Sequence, residues 1–303
     1  MGVFVSSIRH PSTDGLHTLA GIVVHPEGRP RAILHIVHGM TEHISRYSSA
    51  MRAFAQRGIL CVGYDNLGHG YTASEGEYGY IAPREGYRIL TADVASFATA
   101  VKKKYGEDLP YILMGHSMGS FIVRCASESV ICPDKLIVMG TGGKNPLSGA
   151  ALALIALNGR LYGQRRVSHF LDKLVFGGYR GRFEKGERNA WITTDPEIRK
   201  KYREDPISQF RFSVSAMGDL IRLSKNANRS AWFKNLRCDL PILLISGADD
   251  PVGNCGKGVR RVYQRLERTG HAAALKLYPG ARHEILNDAC RDEVIADILN
   301  FIG

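Results

Sequence analysis

Apolar residues along the chain gather into short unbroken runs separated by longer stretches with helical spacing. RAILHIVHG (31–39), ILCVGYD (59–65), PYILMG (110–115), KLIVMG (135–140) and PILLISG (241–247) are apolar on consecutive rather than alternate positions. Runs of that kind predict strands buried on both faces, as in a parallel sheet covered by helices. Between them, YSSAMRAFAQRG (47–58) sets Met51, Phe54 and Ala55 at helical spacing and stops at Gly58, a C-cap. EGYRILTADVASFATAVKKKYG (85–106) predicts a long amphipathic helix whose basic last turn suits the helix dipole. SMGSFIVRCASES (117–129), GKGVRRVYQRLERTG (256–270) and DEVIADILNFIG (292–303) predict further helices, and ALKLYPG (274–280) a strand. Two opening strands, GVFVSSI (2–8) and HTLAGIVVH (17–25), are separated by the turn HPSTDG (10–15).

The strand–helix alternation pauses after Gly140 and resumes at Pro241. We therefore expect an α/β core from residues 1–142 and 236–303. Residues 143–235 are expected to form a largely helical cap (lid) over the carboxyl ends of the strands. The central sheet should be mostly parallel, with about eight strands and helices on both faces. No internal repeat or low-complexity tract interrupts this pattern.

Composition leaves the picture intact. The 303 residues suffice for a sizeable core, and 44% hydrophobic with 23% charged residues is ordinary for a soluble globular chain. No apolar run reaches the roughly 18–20 residues of a membrane helix. The N-terminus has no basic stretch followed by a long apolar one, so no secretory leader is expected and the location is read as cytoplasmic. Gly2 and Ser6 fit a myristoylation pattern, but the same residues read as a first strand. The six cysteines form no C-x-x-C pair, and several lie in apolar runs, which predicts free thiols rather than a zinc site.

Charge is unevenly placed. Residues 158–237 hold 18 of the 40 Lys and Arg but 8 of the 29 Asp and Glu, so nearly all of the net +11 lies in this one segment. Such a segment suits anionic lipid, acidic ligands or nucleic acid, or is a solvated face. No nucleic-acid module signature accompanies it, and nucleic acid is not expected as a partner.

The chemistry centres on GHSMG (115–119). Ser117 follows a buried strand and opens a helix, the setting in which G-x-S-x-G forms a nucleophile elbow. A serine at neutral pH needs a base. The elbow predicts an acid and then a histidine downstream, each after a strand. Asp249 and Asp250 follow PILLI, and His283 follows ALKL. Two backbone N–H groups should stabilise the oxyanion: that of Met118, after the serine, and that of Met40, after His38-Gly39 in the loop behind the third strand. His38, Glu42 and His43 could also be read as metal ligands, although their spacing is not that of H-E-x-x-H. His69 and His116 read as structural, holding loops near the site.

The blocks HGMTEHISRY, YDNLGHG, GHSMG, GADDPVG and GARHEIL together resemble the α/β-hydrolase superfamily, and within it the monoacylglycerol lipase/lysophospholipase group of bacterial serine hydrolases. They span residues 38 to 287, with the cap outside the resemblance. It implies Ser117 as nucleophile, His283 as base, Met40 and Met118 as oxyanion donors, and the G-x-x-D acid at Asp250, with Asp249 as the fallback. It implies hydrolysis of a small acyl ester, monoacylglycerol or lysophospholipid-like, without metal or organic cofactor. An amidase or peptidase on the same residues, or a non-catalytic ligand-binding protein of this fold, are the rival readings. The apolar stretch AALALIALNG (150–159) beside the basic segment suggests transient contact with anionic membrane surfaces.

Overall fold

The structure is a computed structural model that describes residues 2–129, 131–180, 183, 187 and 189–303. Arg182, Lys185 and Arg188 of the basic segment therefore lie outside the described residues. An eight-stranded sheet runs in the order β1 (Phe4–Pro11), β2 (Thr18–His25), β4 (Ile59–Tyr64), β3 (Ala32–Val37), β5 (Tyr111–His116), β6 (Lys135–Met139), β7 (Ile242–Gly247) and β8 (Ala273–Tyr278). From β4 to β8 all neighbours are parallel, while β1 and β2 form an antiparallel hairpin joined to β4. Every residue of β3, β4, β5 and β7 is buried, which is why those strands are apolar throughout.

The opening hairpin departs from expectation in one respect. β1 continues through His10 and Pro11, which pair with Leu19 and Thr18, so the turn begins at Ser12. A proline is tolerated at that position because β1 is an edge strand and Pro11 is its last residue.

Helices cover both faces. On one, α1 (Ser48–Ala55) contributes Met51 and Phe54, and α10 (Arg291–Ile302) contributes Val294 and Ile298. The other face is covered by α2 (Gly86–Tyr105), α3 (Met118–Ser129) and α9 (Lys257–Arg268). α1 closes as its sequence predicts: Gly58 has φ +81° and its N–H donates to the Ala55 carbonyl.

Between β6 and β7 the chain forms α4 (Ser148–Tyr162), α5 (His169–Arg180), α6 (Pro196–Glu204), α7 (Val214–Ala227) and α8 (Ser230–Asn235). The last two are continuous with the core. Met217, Leu223, Trp232 and Phe233 share one apolar cluster with α2 and α3, and the Trp232 indole N–H donates to the Arg124 carbonyl on α3. The Arg124 guanidinium is itself fully buried over the Trp232 ring, and burial pushes it down to about 9.

Candidate active site

Parallel strands gather their carboxyl ends at one edge, and loops there carry the chemistry. The loops after β3, β5, β7 and β8 bring Met40, Ser117, Asp250 and His283 to that edge. Ser117 sits between the last residue of β5 and the first of α3 with φ +55°, a left-handed backbone that side chains rarely adopt. Its N–H donates to the Met139 carbonyl of the neighbouring strand at 3.0 Å. Close approach requires glycine at 119: a Cβ there would lie 2.1 Å from the Val37 carbonyl oxygen. Glycine is also needed at 247, where a Cβ would lie 2.0 Å from the Arg282 carbonyl oxygen. Gly247 thus lets the turn carrying Asp250 pack directly on the loop carrying His283.

Asp250 is fully buried and its Oδ2 lies 2.9 Å from His283 Nδ1. The same oxygen accepts from Ser246 Oγ at 3.2 Å, and Oδ1 accepts from the Val252 N–H at 2.9 Å. These bonds fix the carboxylate plane. They also direct the Nδ1 proton of His283 to Asp250, which leaves Nε2 as the atom able to take a proton. Asp249 is exposed, and its N–H donates to the Ala281 carbonyl. The His283 ring is flanked by His116 and Trp191, with centroids at 4.6 and 5.1 Å.

Ser117, His283, Met40 and Met118 line one cavity of about 760 Å³, within the range of small-molecule sites. Met118 is the first residue of α3, so its N–H has no intrahelical partner. The apolar wall comes from the insertion and α3, including Leu154, Phe176, Ile221 and Phe121. At another part of the wall Thr41, Tyr202, Asn189 and Gln209 supply polar groups.

The remaining histidines have separate partners. His38 donates from Nδ1 to the Gly39 carbonyl and accepts the Asn66 N–H at Nε2, and burial holds it below its ordinary value. Burial pushes His69 down to about 3, and its Nδ1 donates to the Leu67 carbonyl. His43 pairs with Asp205 of the insertion at 2.8 Å. Among the described residues no three His, Cys, Asp or Glu side chains are grouped to hold a metal ion.

Two features escaped the sequence reading. Trp191 packs against His283 with the rings tilted by 40°, from a loop 92 positions upstream, and no periodicity marks it. Residues 190–194 are also stitched to the His283 loop. The Glu284 N–H donates to the Ile192 carbonyl at 2.7 Å, Thr193 Oγ1 donates to the Asn287 carbonyl, and Arg282 donates to the Ala190 carbonyl.

Comparison with known proteins places these residues in context. Residues 28–289 match the family described as serine aminopeptidase, S33. The chain is 27% identical to a monoacylglycerol lipase of Mycolicibacterium smegmatis over 305 aligned residues, covering 96% of this chain and 98% of that one. It is 29% identical to the monoglyceride lipase of Mus musculus, covering 85% and 77% respectively. Among solved structures, a thermostable carboxyl esterase from Bacillus coagulans in complex with glycerol superposes with a TM-score of 0.92 at 30% identity, over 98% and 97% of the two chains.

Proposed function

The chain belongs to the serine aminopeptidase S33 family of α/β-hydrolases, and from that premise we propose that it is a serine carboxylester hydrolase acting on monoacylglycerol-like esters. The observation that carries the reading is the joint lining of one largely apolar cavity by Ser117 and an Asp250-bound His283. Full-length similarity to monoacylglycerol lipase supports an ester rather than an amide as substrate.

In this reading Ser117 Oγ attacks the ester carbonyl while His283 Nε2 takes its proton. Asp250 holds the imidazole tautomer and stabilises the imidazolium. The N–H groups of Met40 and Met118 receive the oxyanion, each contributing about 3–4 kcal/mol to transition-state stabilisation. The alcohol leaves with the proton from His283. Water, activated by the same Nε2, then hydrolyses the acyl-serine. The acyl chain lies against Leu154, Phe176 and Ile221, and the segment 143–235 serves as the cap that shapes this pocket.

The test is turnover of monoacylglycerols and p-nitrophenyl esters of graded chain length beside an aminoacyl p-nitroanilide. We expect ester turnover at least about 10³-fold above anilide turnover, because the pocket offers bulk apolar contact rather than charged peptide recognition. Preferential anilide cleavage would make the protein a peptidase. Absent turnover with tight retention of the ester would make it a binding protein.

Contact with anionic membrane belongs to the same proposal. Among the described residues no helix is long and apolar enough to cross a membrane. Leu157 and Leu161 on α4, and Phe170 and Leu174 on α5, are each more than half exposed. Each pair has the i, i+4 spacing of a single helix face. Arg160, Arg165, Arg166 and Lys173 are interspersed with them. Large apolar side chains beside cations suit an anionic lipid interface. Replacing Leu157, Leu161 and Phe170 together with Glu is expected to reduce co-sedimentation with phosphatidylglycerol vesicles about tenfold or more. Turnover of a short soluble ester should be unchanged, because none of the three lines the cavity. Equal vesicle binding by the variant would remove the docking proposal.

A further inference from the structure

The carboxylate of Glu42 contacts groups beside the oxyanion donor and beside the nucleophile, and it reaches the loop of His283 through His116 and Arg46. Its Oε1 accepts the N–H of Gly39, the residue before the oxyanion donor Met40. The same oxygen lies 3.1 Å from His116 Nδ1, on the residue before Ser117, and accepts from Tyr47 Oη at 3.0 Å. His116 donates in turn from Nε2 to the main-chain carbonyl of His283 at 3.2 Å. On its other side Glu42 Oε2 faces Arg46 Nε at 3.8 Å, and Arg46 Nη2 donates to Glu284, the residue after His283, at 2.5 Å.

We propose that Glu42 is a positioning residue for hydrolysis, one buried anion that sets the oxyanion loop, the nucleophile elbow and the base in register. The inference rests on the ester-hydrolase reading and deepens it. None of the three loops is adjacent to another in sequence, so their relative placement depends on contacts that cross between them. Glu42 and His116 are both buried, 3% and 2% exposed, and buried charges persist only where they are paired. Burial alone would raise the Glu42 carboxyl, but His116 and Arg46 hold it well below the usual carboxylate range. Burial would likewise lower His116, but Glu42 holds it above its ordinary value. Each group thus favours the charged form of the other. When charged, His116 has N–H on both nitrogens: Nδ1 faces Tyr47 Oη at 2.8 Å and Glu42 Oε1 at 3.1 Å, and Nε2 faces the His283 carbonyl.

Three variants test this in the full chain: Glu42→Gln, His116→Leu and His116→Gln. Tyr111→Phe serves as the stability control, since it breaks the equally buried 2.7 Å bond between Tyr111 and His35 in the core. Thermal unfolding, kcat, KM and the rate of Ser117 labelling by a fluorophosphonate are measured for each. Displacement of the reacting groups by about 1 Å costs about 10²-fold. We therefore expect Glu42→Gln and His116→Leu to lower kcat and the labelling rate about 10²-fold with KM within about threefold. His116→Gln keeps a donor for the His283 carbonyl and should recover about tenfold over His116→Leu. Tyr111→Phe should lose thermal stability with kcat intact. Folded Glu42→Gln with kcat and labelling like wild type would overturn the inference. A kcat loss no greater than that of the control at equal thermal stability would do the same. If Glu42→Gln does not fold, the His116 pair decides: no difference between His116→Leu and His116→Gln overturns it. A wild-type protein that neither turns over esters nor labels at Ser117 would overturn the hydrolase reading itself, a distinct result.

Discussion

Ser117→Ala is expected to lower kcat for monoacylglycerol and p-nitrophenyl esters by about 10⁴- to 10⁶-fold, with the protein still folded. The size follows from the loss of covalent catalysis as a whole. Without the hydroxyl, His283 has no proton to take, and only oxyanion contacts and substrate orientation remain. Substrate affinity should persist, because the walls of the 760 Å³ cavity are unchanged. The backbone offers an internal control. Ser117 has φ +55°, a conformation that costs a side-chain-bearing residue about 1 kcal/mol relative to glycine. Ser117→Gly should therefore be as inactive as Ser117→Ala yet more stable, by about 1 kcal/mol in urea unfolding. Substantial ester turnover by either variant would remove Ser117 from the reaction.

The second large effect separates two adjacent carboxylates. Asp250→Asn is expected to lower kcat by about 10⁴-fold. An amide at this position presents N–H to His283 Nδ1, or an oxygen that no longer carries charge. Either way the tautomer with a basic Nε2 loses its stabilisation, and the imidazolium formed during attack loses its counter-charge. Asp249→Asn should remain within about threefold of wild type, since Asp249 is exposed and the contact to the Nδ1 of His283 is made by Asp250. Steady-state kinetics on one soluble ester decides the matter. Loss of activity in Asp249→Asn with retention in Asp250→Asn would reverse the assignment.

Much of the architecture was legible in the sequence for a physical reason. Strands covered on both faces have no polar side, so β3, β4, β5, β6 and β7 stood out as continuous apolar runs. The candidate site was legible at strand ends because the elbow needs glycines at fixed offsets, and its proposed acid and histidine follow later strands. Other features left no such mark. Pro11 looked like turn punctuation because an edge strand tolerates it at its end. The seating of α7 and α8 against α3 depends on Trp232 and Arg124, 108 residues apart. Glu42 read as a possible metal ligand from its neighbours in sequence. Its partners Gly39 and Arg46 lie in the same loop, but His116 is brought to it only when the elbow packs against that loop.

The stitching of residues 190–194 to the loop of His283 bears on how the pocket can be re-engineered. Exchanging 143–235 for the corresponding segment of a relative is an obvious route to altered chain-length preference. Here such a graft would also replace the strands of contact that hold Glu284, Asn287 and Arg282 in place. A chimera would inherit a new pocket and a loosened His283 loop together, and selectivity would be confounded with turnover. Moving 190–194 and 282–288 as a matched pair keeps the two properties separable.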